Sequence, residues 1–482
     1  MMARVTTLLL LALSVRAAEF QTGQAARAVI GQPSFSAREA GVAVTTLSLS
    51  NGKLYAADAA HRLLTFDLNK IPGAKDDLAD RQGPCALCGF PAIEQVSQAV
   101  LPGVAGVAVF GNTVAMVDTP NHRVLLWPDA AMAHPAQIVL GSNELLEPVS
   151  VALDGRRLFV GDTASHRVLV WNALPGTDNQ PADAVLGTFS EVPGADTISS
   201  PVALVSDGTN LFVGDNADRR ILVFTPGDGA SHRPSVINSA SLAAGALAPG
   251  TLVTVSGTAL ADVPANAEDD GVQRLPAKLG GVEVLFDGVA LPLLSVSTTQ
   301  VRAQLPYDTG NASSASLYVR TEHGDGNVTV TNATAAKLTP TSPGLFAFGG
   351  TEPRTGLILH SDGTPERAGT PVTADDPAKA GETLIFWAAG LGAVESPTDK
   401  GPVMGVPYAG PDAPAANRVG AVINGRTAQV ISATLPERSI GVYEVRIVLP
   451  ADLPTDANTE LLIMQDGSVS NTVTIPVQNT IQ

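Results

Sequence analysis

Short stretches in which apolar residues alternate with others dominate the chain, and one of them is repeated. LFVGDTASHRVLVW (158–171) has close copies in LYAADAAHRLLTF (54–66), VAMVDTPNHRVLLW (114–127) and LFVGDNADRRILVF (211–224). A period of two puts successive side chains on opposite faces of a strand. Each copy therefore predicts two strands around a tight polar turn, a β-hairpin. Runs ending in Gly stand ahead of three of the hairpins: AVIGQPSF (28–35), IVLGSNEL (138–145) and AVLGTFSE (184–191). A connector and a further apolar run follow, as in PVSVALDG (148–155) and PVALVSDG (201–208). The unit so predicted has about four short strands, and its recurrence predicts a repeat architecture. The repeat aspartates, Asp58, Asp118, Asp162 and Asp215, are unevenly spaced, as loops of variable length on a fixed core would make them.

After TPGDGASHRP (225–234), a linker by composition, the pattern changes. Strand-like runs now alternate with Gly, Pro and Asp turns at the spacing of a β-sandwich. They also pair up across the tail. PGTLVTVSGTAL (249–260) is answered by AGETLIFWAAGL (380–391), VEVLFDGVA (282–290) by GAVINGRTA (420–428), VRAQLP (301–306) by VRIVLP (445–450), and DGNVTVTN (325–332) by VSNTVTIPV (469–477). The order is kept while the spacing drifts, which predicts two related sandwiches joined near TSPGLFAFGG (341–350).

The repeat pattern PxxVAxxxGxLFVxDxxxHRVLVW resembles the NHL-repeat family of β-propellers over residues 28–224. That family usually carries six blades, against the four units visible here. The tail from 234 to 477 resembles a C-terminal domain family found on exported acidobacterial proteins, and the opening strands of each half resemble IPT/TIG-type Ig-like domains. The elements carrying the likeness include PSVINSAS, TQVRAQLPY, SPGLFAF, PAKAGETLIFWAAGLG and SNTVTIPV. The expected fold is thus all-β: a signal peptide (1–17), an NHL-like propeller (20–230), and Ig-like sandwiches at 234–340 and 341–482. The tail family implies no activity.

Arg4 followed by VTTLLLLALSV (5–15) and small residues reads as a secretory signal peptide, its apolar stretch being too short to span a membrane. The expectation is an exported protein, periplasmic, cell-surface or extracellular, without membrane insertion. A formal charge of −17 argues against nucleic-acid partners. The two cysteines, Cys85 and Cys88, lack the βαβ context of a redox CxxC, the following His of a haem site and the further ligands of a zinc site. In an exported chain they are expected to form a small disulfide loop.

The repeat itself carries the candidate chemistry: Asp58, His61 and Arg62; Asp118, His122 and Arg123; Asp162, His166 and Arg167; Asp215 and Arg220. Read as a ring of ligands they would suit a metal-dependent lyase or lactonase using the axial cleft, since some NHL-type enzymes hold a metal through histidines. A motif present in every unit is better explained by what every unit needs. The Asp accepts backbone N–H bonds in the turn, and the Arg pairs with it or satisfies carbonyls. No GxSxG, HExxH, phosphate-loop or calcium-loop pattern occurs. HGDG (323–326) reads as a turn. The expected function is a non-catalytic binding or surface protein with no cofactor, engaging a protein or glycan partner through loops on a rigid scaffold.

Overall fold

The computed structural model describes residues 18–38, 41–50, 53–59, 63–68, 94–97, 106–128, 136–141, 144–227, 233–267, 272–361, 367–396 and 401–479. These residues form largely antiparallel sheets and short turns, with parallel strand pairs only where Arg354–Thr355 and Ala378–Lys379 meet Val473–Gln478, and no α-helix among them. Cys85, Cys88, His61, Arg62 and the Asp58 side chain lie outside the described residues.

The repeat region builds four four-stranded sheets. The first contains β2 (Val44–Ser50), β3 (Lys53–Asp58), β4 (Leu63–Asp67) and β5 (Glu94–Ser97). The second contains β6 (Val107–Phe110), β7 (Thr113–Asp118), β8 (Arg123–Trp127) and β9 (Ile138–Leu140). The third contains β10 (Pro148–Leu153), β11 (Leu158–Asp162), β12 (Arg167–Trp171) and β13 (Ala184–Leu186). The fourth contains β14 (Pro201–Ser206), β15 (Leu211–Asp215), β16 (Arg220–Phe224) and, on its edge, the first strand of the chain, β1 (Ala28–Ile30).

Two of the Gly-ended runs, expected ahead of their own hairpins, belong instead to the sheet before. Ile138–Leu140 pairs with β8, with Val124 opposite Leu140, and Ala184–Leu186 pairs with β12. The reason is local. The second hairpin strand leaves an edge of unpaired N–H and C=O groups, and the next extended segment of the chain satisfies it. The strand that follows β16, Ser235–Asn238, pairs with Leu252–Ser256 instead, and Ala28–Ile30 takes the open edge, with Ala28 opposite Val223.

Neighbouring sheets share apolar clusters. Val151, Leu158 and Trp171 of the third sheet pack with Val124 and Leu126 of the second. Phe159 and Val168 of the third pack with Leu211 and Leu222 of the fourth. Val44, Leu54 and Phe66 of the first pack with Phe212 and Ile221 of the fourth. The glycine of LFVGD follows from this stacking. A Cβ on Gly161 would lie 2.8 Å from the Pro201 carbonyl oxygen, and one on Gly214 would lie 2.7 Å from the Val44 side chain. Only a residue without a side chain permits that approach.

In the tail, two sheets enclose a core that includes Val253, Val255, Val284, Phe286, Val301 and Leu317. The last segment forms one curled twelve-stranded sheet around a single core. The paired sequence elements keep their pairing. Leu252 lies opposite Gln304, and Thr383 opposite Val448. Val282 lies opposite Thr321, and Gly420 opposite Met464. Matching hairpins turn at Asp287-Gly288 (φ 47° and 80°) and Asn424-Gly425 (φ 46° and 74°), the left-handed pair that a two-residue hairpin demands.

The segment 225–234 reads as a linker, yet the regions on either side of it are not merely tethered. Leu285, Tyr318 and Ala333 belong to the same apolar cluster as Phe20, Phe159 and Leu222. The Ala25 N–H donates to the Ala333 carbonyl at 3.0 Å, Gly227 N–H to Asn332 Oδ1 at 2.7 Å, and Ala195 N–H to Ser314 Oγ at 3.0 Å. Arg27 donates to the Thr331 carbonyl and stacks 4.8 Å from the Tyr318 ring centroid.

Candidate functional site: the hairpin turns of the repeat

In each described turn the Asp and the Arg close the hairpin as a cross-strand pair: Asp118 with Arg123, Asp162 with Arg167, Asp215 with Arg220. The residue before the Arg is left-handed: His122 at φ 54°, His166 at φ 56° and Arg219 at φ 51°. Its N–H closes the turn on Thr119, Thr163 or Asn216 at 3.0, 3.1 and 3.0 Å.

Each fully described carboxylate is occupied on both oxygens. Asp162 Oδ1 accepts from the N–H groups of Leu146 and Glu147, which lead into β10 of its own sheet. Asp215 Oδ1 does the same for Ser199 and Ser200 ahead of β14, at 3.1 and 2.7 Å. The second oxygen takes the arginine Nε, at 3.3 Å in Asp162 and 3.0 Å in Asp215. In the outer turn Asp118 accepts from Arg123 Nε at 2.7 Å and from Asn121, and these donors hold its carboxyl below the usual range. Burial pushes the Asp215 carboxyl up, against the opposing pull of Arg220 and the Ser200 N–H.

The arginines and histidines act as straps. Arg220 is wholly buried and donates to the carbonyls of Phe35, Gly194 and Thr197 as well as to Asp215. Arg167 reaches the Glu144 carbonyl. His122 Nδ1 bonds the Leu146 carbonyl at 2.5 Å, and His166 Nδ1 bonds the Ser199 carbonyl at 2.6 Å. Each imidazole thus ties its own turn to the connector entering the next sheet. A carbonyl partner requires Nδ1 to carry the proton. A carboxylate whose oxygens are filled by backbone donors and a guanidinium is not free to take a proton from a substrate.

No group of three or more His, Cys, Asp and Glu side chains lies close enough to hold a metal ion among the described residues. A groove of about 950 Å³ opens on the last sheet, with Gly420 between Met464 on one side and Gln429 and Ile431 on the other. It is remote in sequence from the repeat turns, and its charged lining is Arg418 and Asp466.

A second constellation was not legible in the sequence. His323, in the HGDG turn, bonds Asp262 Oδ1 through Nδ1 at 2.7 Å and Thr329 Oγ1 through Nε2 at 2.8 Å. The Gly324 N–H donates to Asp262 Oδ2 at 3.0 Å. The hydrogen bond from His323 holds the Asp262 carboxyl below its ordinary range. Asp262 lies 61 positions before His323, so no local motif announces the contact.

No family model matches the chain, and no curated protein matches it. Among solved structures it is similar to SGBP-B of the Bacteroides ovatus mixed-linkage glucan utilization locus, in complex with a mixed-linkage heptasaccharide. That match has 12% identity and a TM-score of 0.22, and covers 56% of this chain and 52% of that one. It is similar also to the computationally designed Ika4 protein, at 14% identity and a TM-score of 0.19 over 40% of this chain and 98% of that one. The fibronectin(III)-like modules of CbhA from Clostridium thermocellum match at 13% identity and a TM-score of 0.14, over 51% of this chain and 94% of theirs. At these scores none bears on function. Among the described residues no helix is long and apolar enough to cross a membrane.

Proposed function

We propose that the chain is an exported, non-catalytic binding or surface-associated scaffold. In this reading residues 20–230 are a propeller of four NHL-like blades, and 234–340 and 341–482 are Ig-like sandwiches serving as spacer or second surface. Four stacked four-stranded sheets, the last completed by the first strand of the chain, support the propeller reading. The preserved pairings of the tail support the paired sandwiches. One observation carries the non-catalytic assignment: the Asp and Arg groups of the inner turns spend their hydrogen bonds on their own sheets and connectors. The partner, a protein or a glycan, would then meet loops rather than these side chains.

The test joins two measurements. The full chain, expressed in a bacterium and fractionated, should be recovered outside the cytoplasm with a new N-terminus near residue 18. The purified protein should hold no stoichiometric metal after dialysis against a chelator-free buffer. A tightly bound metal lost on replacing His122 and His166 together would overturn the reading and make the repeat turns a metal site.

A further inference from the structure

We propose that Thr329, His323 and Asp262 form a nucleophile, a general base and its orienting carboxylate, and that this hairpin accepts the acyl group of small esters with good leaving alcohols. The proposal does not rest on the scaffold reading, whose non-catalytic assignment is drawn from the repeat turns, and it departs from that assignment at this hairpin. Its ground is the geometry of three residues in a line. Asp262 holds His323 Nδ1 at 2.7 Å, which fixes the proton on that nitrogen and leaves a lone pair on Nε2. Thr329 Oγ1 stands 2.8 Å from Nε2, so in the neutral imidazole the hydroxyl is the donor. That is the hydrogen-bond order a nucleophile, base and orienter require, here assembled on a sheet edge.

The supports of the relay are fixed. Asp262 is locked by the Gly324 N–H through its second oxygen. Thr329 sits within the strand Val328–Val330, opposite Thr321. The His323 backbone is held by its N–H to the Asn327 carbonyl and by the Gly326 N–H to its own carbonyl, at 2.8 and 2.9 Å. The ionised carboxylate stabilises the imidazolium that forms when the hydroxyl gives up its proton. The His323 side chain is 22% exposed and that of Asp262 47%, so the relay faces solvent. A site this open supplies no water exclusion, which restricts it to carbonyls that need little activation.

The step balances without a co-reactant. Thr329 Oγ1 attacks the ester carbonyl carbon and its proton passes to His323 Nε2. The tetrahedral adduct collapses, the C–O bond to the alcohol breaks, and the alcohol leaves with the proton from Nε2. Water then attacks the Thr329 ester, giving its proton to Nε2, and the carboxylic acid is released as Oγ1 recovers a proton.

The probe is p-nitrophenyl acetate with the full-length protein, read by nitrophenolate release and by peptide mass spectrometry of the acid-quenched protein. The expected result is a single acetyl group on the peptide containing Thr329. Thr329→Ala should abolish that adduct, and His323→Gln and Asp262→Asn should each slow its formation by about 10²-fold, the range of a lost general base. Thr329→Ser should restore it, Arg274→Ala should leave it unchanged, and melting curves should confirm that the variants fold. Acetyl groups found only on lysines, or an adduct formed at equal rate in His323→Gln, would overturn the proposal.

Discussion

Asp287 sits at the first position of a two-residue hairpin turn, with φ 47°, and is only 7% exposed. Its Oδ1 accepts the Ser316 N–H at 2.5 Å, and its own N–H donates to the Ser316 carbonyl at 2.8 Å. Burial pushes its carboxyl up from 3.8 to about 8, and the single Ser316 donor offsets only part of that. The folded state therefore keeps a proton that the unfolded chain has released. Stability from this group is fully present below the unfolded value and is lost as pH rises through the folded one. Between those limits the loss is about 1.4 kcal/mol per pH unit. From pH 5 to pH 8 it amounts to about 4 kcal/mol, or upwards of about 15 °C in the melt of a unit of roughly 100 residues. Asp287→Asn keeps the shape, tolerates the left-handed backbone and cannot ionise. Scanning calorimetry of both proteins at each pH from 5 to 9 should show near-equal melting at pH 5 and a variant progressively more stable above it. Parallel pH profiles for the two proteins would refute the reasoning.

Two further predictions follow from buried contacts. The Tyr318 hydroxyl is buried with no hydrogen-bond partner among the described residues, so Tyr318→Phe should leave stability unchanged or raise it by about 1 kcal/mol, measured by urea unfolding; a loss of that size would reveal a partner. A chain cut at a protease site engineered between Gly227 and Arg233 should yield fragments that co-elute on size exclusion, because Phe20, Tyr318 and Ala333 share one apolar cluster across the cut; separate elution would contradict that packing.

Strand alternation exposed the all-β class and the hairpins, because side-chain period and turn chemistry are local properties. Asp287-Gly288 and Asn424-Gly425 announce their turns for the same reason. Membership of β1 in the fourth sheet was not legible. Ala28–Ile30 reads like every other Gly-ended run, and only the pairing of the strand after Phe224, Ser235–Asn238, with Leu252–Ser256 leaves the edge of β16 open to it. The need for glycine at the fourth position of LFVGD was not legible either, because it comes from the approach of the neighbouring sheet at Pro201 and Val44. The linker composition of 225–234 hid the apolar contact that joins its flanks, since Tyr318 and Phe159 are distant in sequence. The relay at Thr329 was invisible because Asp262 reaches His323 from another loop.

The account rests most heavily on the repeat arginines as structural members. Arg167 joins Asp162 to the Glu144 carbonyl, and Arg220 joins Asp215 to three further carbonyls in the core. Replacing Arg167 by Ala leaves acceptors unpaired at a part-exposed site and should cost about 1–3 kcal/mol. Arg220→Ala strands a buried carboxylate and should cost about 3–5 kcal/mol. The direct measurement is the thermal melt of each variant beside Arg274→Ala, an exposed arginine outside the repeat. The account predicts lowered melting in the order Arg220→Ala, then Arg167→Ala, with Arg274→Ala at the wild-type value. Melts of both repeat variants that coincide with wild type would contradict it and return the Asp, His and Arg of the turns to candidacy as a functional site.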